Sequence, residues 1–180
     1  MFNTLNEIRA DPSKIEVRVG PQSADFIDRV KRETDGKPLK PLNWSDALAN
    51  GARDMVLDSG PRGWTGEVSY SGNPLDFYTE AWASWKGSLG RAYVFTEVED
   101  ASNPEREPIL VLAKLIDAEN FYKYELFNPD YTNVGISCGC SSSKSEICVF
   151  AFSDDTLQPT RNKPRYDTEF VPKEACATEG

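Results

Sequence analysis

Phe127-Asn128-Pro129-Asp130-Tyr131-Thr132-Asn133-Val134-Gly135-Ile136-Ser137-Cys138, answered ten residues later by Cys148-Val149-Phe150-Ala151-Phe152, is the stretch on which the fold turns. Both halves are rich in β-branched or aromatic residues, which predicts strands over 132–140 and 147–153. The serine-rich run Ser141–Glu146 between them is a turn, so the two strands make a hairpin. Cys138-Gly139-Cys140 lies inside the first strand. Its spacing is not the C-x-x-C of redox or zinc pairs, and a period of two puts both cysteines on one strand face. They read as small core residues, one of which pairs with Cys148 across the hairpin.

Outward from the hairpin, the chain reads as helices. Phe2, Leu5 and Ile8 recur at helical spacing, and Asp11-Pro12 ends that segment. A second helix runs over 23–34, with Ser23 as cap, Phe26, Ile27 and Val30 as its apolar stripe, and Gly36 as the left-handed stop. A third spans 45–58 behind Ser45 or Asn43 and ends at Gly60-Pro61. Residues 60–76 form an irregular loop, 77–86 a helical turn carrying Phe77, Tyr78, Trp82 and Trp85, and Tyr93-Val94-Phe95 a short strand. A helix beginning at Pro104 or Pro108 runs to about Asp117. Trp44, Leu48, Ala52, Ile109, Leu112, Val134, Ile136, Val149 and Phe152 are expected to form one core. The chain divides into a domain over 1–153 and a polar tail over 154–180. That tail holds Pro159, Pro164 and Pro172 and has too little apolar area to fold alone.

Composition narrows the chemistry. With 20 basic and 29 acidic residues, the net charge of −9 argues against nucleic acid, whose binding rests on neutralised phosphates. No apolar run is long enough for a membrane span. The chain has no histidine, which removes Ser-His-Asp, Cys-His and His-based zinc templates together. The start, Met1-Phe2-Asn3-Thr4, does not read as a signal peptide. The expected location is therefore cytoplasmic, with a cytoskeletal assembly as the specific case, or extracellular if a leader was removed.

Three segments, in order, resemble the CAP family of cysteine-rich secretory, antigen 5 and pathogenesis-related proteins. Leu5-Asn6-x-x-Arg9-x-x-Pro12 is similar to its opening helix. Pro41-Leu42-x-Trp44-x-x-x-Leu48-Ala49-x-x-Ala52 is similar to its second signature, and the quoted hairpin to its close. Gly60-Pro61-x-Gly63-x-Thr65-Gly66 and Trp85-x-Gly87-x-x-Gly90 resemble the variety found in single-celled eukaryotes. The resemblance covers about residues 2–153. It implies an α+β fold, a three-layer α-β-α sandwich with a closing β-hairpin.

That family's cavity carries two histidines and two acidic residues able to hold a divalent metal. Set against it, this chain is degenerate. Glu67 stands at the first histidine, Arg91 at the glutamate of a Gly-Glu-Asn motif, and Tyr122 lies in the stretch of the second histidine. Asp117 is the acidic position that survives. Glu67 and Arg91 are expected to pair, and a guanidinium repels a metal ion. The resemblance thus implies a non-catalytic domain with a pseudo-active site, no cofactor and no bound metal, acting as a protein-binding or structural subunit of a larger assembly. Tyr166, Phe170 and Val171 of the tail are the expected anchors on a partner protein. The alternative is a secreted CAP protein with a Cys138–Cys148 bridge. It would bind a lipid or sterol in an aromatic groove built from Trp64, Tyr70, Phe77, Tyr78, Trp82 and Trp85.

Overall fold

In a computed structural model of the chain, described over residues 1–18, 21–64, 66–97, 108–117, 122–140 and 145–160, the hairpin forms the middle of the main sheet. Strand β4 (Asn133–Cys140) pairs antiparallel with β5 (Ser145–Ser153), with Val134 opposite Phe152 and Cys138 opposite Cys148. Strand β3 (Gly90–Glu97) pairs antiparallel along the other side of β5. The two-residue β1 (Asn43–Trp44) runs parallel to β4, giving the order β1-β4-β5-β3. The sheet is therefore mixed, and the fold is α+β.

The strand period of two sends alternate side chains to opposite faces, and each face carries its own helices. On one face Ala92, Val94, Val134, Cys148, Phe150 and Phe152 pack with α1 (Phe2–Ala10), α2 (Pro21–Glu33) and α5 (Pro108–Asp117). On the other, Tyr93, Ile147, Val149 and Ala151 pack with α3 (Asp46–Ser59) and α4 (Leu75–Thr79). The single expected core is thus two. Leu48, Ala52 and Val149 lie on one side, Leu112, Val134 and Phe152 on the other, and Ile109 and Ile136 rest partly buried against the second group. Trp44 belongs to neither: it is 43% exposed, stacked edge-on against Phe2, with its indole N–H bonded to Asp46.

The resemblance motifs acquire physical reasons here. Asn6 accepts from the Leu42 amide at 2.8 Å and donates to the Leu42 carbonyl at 3.1 Å. Arg9 is 1% exposed and donates to the carbonyls of Leu126, Asn128 and Lys40. One helical turn of α1 therefore ties down two distant segments. Ser45 caps α3 by accepting from the Leu48 amide. Ser23 is no cap: it sits inside α2, and its hydroxyl donates to Asp117 at 2.9 Å.

The chain does not leave the domain at Ser153. Asp154 holds a turn through Thr156, Leu157 packs against the α3 side of the sheet, and β6 (Gln158–Pro159) pairs with β2 (Ala83–Ser84). Pro159 is accommodated because it lies on a two-stranded edge, where its missing N–H costs little. Residues 154–160, assigned to the tail in the sequence reading, thus pack on the domain and pair with it. The anchors Tyr166, Phe170 and Val171 lie outside the described residues. Among the described residues no helix is long and apolar enough to cross a membrane.

Candidate functional site

Beside β3 lies a cavity of about 290 Å³. Gly66 and Glu67 of the loop, Tyr93, Val94 and Phe95 of β3, Lys114 and Leu115 of α5, and Tyr122 of α6 (Tyr122–Leu126) line it. Two of the four expected cavity residues meet here. The Tyr122 hydroxyl donates to Glu67 in a very short hydrogen bond, and the Tyr122 ring stands edge-on to Tyr93 with centroids 5.6 Å apart.

Arg91 and Asp117 go elsewhere. Arg91 sits on β3 one residue before Tyr93 and forms its ion pair with Asp76 of α4, at 3.5 Å. The expected Glu67–Arg91 pair is therefore replaced by two others, Glu67–Tyr122 and Arg91–Asp76. Asp117, at the end of α5, accepts from Ser23 and does not line the cavity; Lys114 and Leu115, one turn earlier, do.

Tyr93 is the residue that sequence reasoning missed. It is 3% exposed, and its buried hydroxyl lies near Arg91 without a well-formed hydrogen bond among the described residues. Burial pushes its pKa well above the usual tyrosine range, and the nearby Asp76 and Glu67 carboxylates add to the rise against Arg91. Burial, then the bond to Glu67, pushes Tyr122 up as well. Both phenols are therefore held in the protonated form at neutral pH. The strand Tyr93-Val94-Phe95 was visible in the sequence. That its edge faces a cavity depends on α5 and α6, which no local pattern specifies.

A second polar cluster supports the loop that carries Glu67. Asp58 of α3 is 3% exposed and accepts from the Tyr78 hydroxyl at 2.8 Å, the Ser71 hydroxyl at 2.8 Å, the Ser71 amide at 3.0 Å and Arg62 at 3.0 Å. Burial alone would raise the Asp58 carboxyl, but these hydrogen bonds outweigh it and hold it below the ordinary range. The same burial pushes Tyr78 up to about 12.

The aromatic residues named for the groove take different places. Tyr78 is fully buried in this polar network, and Trp82 turns inward to donate to Asp54 at 2.6 Å. Trp64 and Tyr70 remain exposed as an edge-on pair at the loop surface. Across the hairpin, Cys138 and Cys148 form a disulfide with an S–S distance of 2.07 Å; Cys138 is exposed and Cys148 buried. The side chain of Cys140, and Cys176 altogether, lie outside the described residues.

A family model, that of the cysteine-rich secretory protein family, matches residues 2–152. No curated protein matches the chain.

Proposed function

We propose, on the premise that this chain belongs to the cysteine-rich secretory protein (CAP) family, that it works as a non-catalytic protein-binding or structural subunit of a larger assembly. The carrying observation is that Glu67 and Arg91, at two of the family's cavity positions, are each engaged with a partner of their own. Glu67 accepts the hydrogen bond of the Tyr122 hydroxyl, and Arg91 pairs with Asp76. A nucleophile needs a base within reach and a pKa near the working pH, and the phenols here are shifted the wrong way. The family is generally non-enzymatic, and a scaffold can keep its shape while its site is put to another use. The location we propose for that assembly is the cytoplasm, with a cytoskeletal complex as the specific case.

Size-exclusion of the native protein from its source, with mass spectrometry of the peak, tests this. A stoichiometric complex is expected. A free monomer that turns over ester or peptide substrates would overturn it.

The Cys138–Cys148 disulfide favours a second reading, a secreted protein, since such bonds persist in oxidising compartments. Alkylation of thiols in the native protein at the moment of lysis separates the two. Protected Cys138 and Cys148 support secretion; labelled ones support the cytoplasm.

A further inference from the structure

Three side chains able to ligate a metal meet toward the turn end of the hairpin. Cys138 of β4 stands directly opposite Cys148 of β5, and Glu146 lies two residues before Cys148 on the same strand. The strand period of two turns Glu146 and Cys148 to one face. The two sulfurs and a Glu146 carboxylate oxygen lie within 4.8 Å of one another. Cys138 is exposed, Glu146 half-buried and Cys148 fully buried, so the set reaches from solvent into the core on the α5 side. None of the three lines the cavity beside β3.

Zinc takes thiolate and carboxylate donors, with Zn–S about 2.3 Å and Zn–O about 2.0–2.2 Å in a tetrahedral set. Donors bound at those lengths stand about 3.5–4 Å apart. A group already within 4.8 Å closes on such an ion by side-chain rotation. Two sulfurs with one oxygen suit zinc, whereas magnesium and calcium take oxygen sets. The sequence hides the grouping because the donors come from two strands. Cys138 and Cys148 are ten residues apart, and no C-x-x-C spacing announces them.

We propose that Cys138, Cys148 and Glu146 bind zinc once the disulfide is opened, so that the hairpin alternates between a disulfide and a zinc dithiolate. A small dithiol supplies the reduction. Its two sulfurs join as its own disulfide, and its two electrons and two protons pass to Cys138 and Cys148 as the bond between them breaks. Zinc then displaces both thiol protons to solvent and is held by two thiolates, the Glu146 carboxylate and a water. A disulfide oxidant runs the change backward. It takes two electrons from the bound thiolates and leaves as two thiolates, while the Cys138–Cys148 bond re-forms and the ion is released. A buried Cys148 thiolate beside a carboxylate would be unfavourable alone; the dication offsets both charges. With the disulfide closed, neither sulfur is a thiolate and the chain binds no zinc.

The test uses the full chain, reduced by a phosphine, freed of it under nitrogen and titrated with cobalt(II), the spectroscopic stand-in for zinc, and then with zinc itself. Expected are one equivalent bound, a near-UV sulfur-to-cobalt band, visible bands of a tetrahedral ion, and loss of all of them when zinc is added. Cys138→Ser weakens the sulfur band, and Glu146→Gln lowers affinity by about tenfold or more. Cys140→Ser with Cys176→Ser keeps the site. The closed disulfide form, titrated alongside, shows no binding. Near-UV circular dichroism follows the fold; where reduction loosens the hairpin, zinc restores the signal, because binding and folding are linked. Absence of a stoichiometric site in the reduced chain overturns the proposal. So does full affinity in both Cys138→Ser and Glu146→Gln, or its loss in the Cys140→Ser, Cys176→Ser variant. Alkylation at lysis with a strong chelator present keeps compartment and metal apart: zinc-held thiols become labelled, disulfide sulfurs do not. The site is judged on the reduced chain, so it stands or falls independently of the assembly and of its location.

Discussion

A Cβ placed on Gly135 of β4 would meet the backbone nitrogen of Ala49 at 2.0 Å and the carbonyl carbon of Leu48 at 2.4 Å. Helix α3 therefore lies directly on the strand, and the contact is backbone against backbone. Neither partner can turn aside as a side chain would. Gly135→Ala is expected to cost about 3 kcal/mol or more by overpacking. Among the described residues Gly139→Ala meets Val56 Cγ1, at 2.6 Å, and a side chain that can shift should limit its cost to about 1 kcal/mol. Urea denaturation of the two variants checks the difference. Equal stabilities would mean that α3 does not seat on β4 at Gly135.

That contact illustrates what was legible in the sequence. Strand periodicity exposed β4 and β5, and helical spacing exposed α1, α3 and α5, because each buries a regular stripe. A glycine inside a strand pattern announces a close approach but not by what. Nor did any local pattern say that the sheet would divide Leu48 and Ala52 from Leu112 and Val134. The cavity was legible only in part. Glu67 and Tyr122 were named through the family's motif, whereas the partners of Arg91 and Asp117 are set by α4 and α2, elements far away in the chain.

Arg9 tests the buried tie at the domain's base. Its guanidinium donates to three carbonyls on two segments, and burial lowers its pKa to about 10, so it remains charged at neutral pH. Arg9→Met leaves those carbonyls without a donor and is expected to cost about 3 kcal/mol. Arg9→Lys should recover less than half of that, since an ammonium cannot span the fork's geometry. Thermal or urea unfolding of both variants decides. Full recovery by lysine would show that charge alone matters.

Two buried carboxylates four residues apart on α3 make opposite pH predictions. Asp54 is raised above its ordinary value of 3.8, chiefly by burial, and Asp58 is lowered by its hydrogen bonds despite burial. Asp58 therefore contributes stability that is present above the unfolded-state pKa and lost as pH falls through its lower folded value. Asp54 behaves inversely: its contribution is present at low pH and lost as pH rises through its elevated value. Asp58→Asn should cost about 2 kcal/mol at neutral pH, with the deficit shrinking in acid as wild type loses the same bonds. Asp54→Asn keeps an acceptor for Trp82 without a buried charge, so its Tm should exceed wild type at neutral pH and match it in acid. Melting curves across the acid range are the measurement; a Tm gain for Asp54→Asn that persists unchanged into acid would contradict this assignment.

Zinc offers a direct check on the cavity. Glu67 is bonded to Tyr122, Tyr122 and Tyr93 stay protonated, Arg91 brings a permanent positive charge, and Asp117 is turned toward Ser23. Zinc prefers deprotonated sulfur, imidazole or carboxylate ligands in a tetrahedral set. Calorimetric titration of the full chain should reveal no stoichiometric site tighter than micromolar. A tight site lost in Glu67→Gln would reverse this reading.

The end of the described chain yields the last prediction. Leu157 packs against the core on the α3 side, β6 pairs with β2, and the Thr160 amide donates to the Trp82 carbonyl at 2.6 Å. Trp82 in turn holds Asp54, so the returning segment braces the wall on which the Asp58 network stands. Truncation after Thr160 keeps every one of these contacts and should leave Tm near wild type. Truncation after Thr156 removes them all. It also exposes part of the α3-side core, for an expected loss of about 1–3 kcal/mol, or several degrees in Tm. Entry into the native complex then separates stability from binding. A chain ending at Thr160 that melts normally yet fails to assemble places the partner contact beyond residue 160. One that assembles normally leaves the contact within residues 1–160.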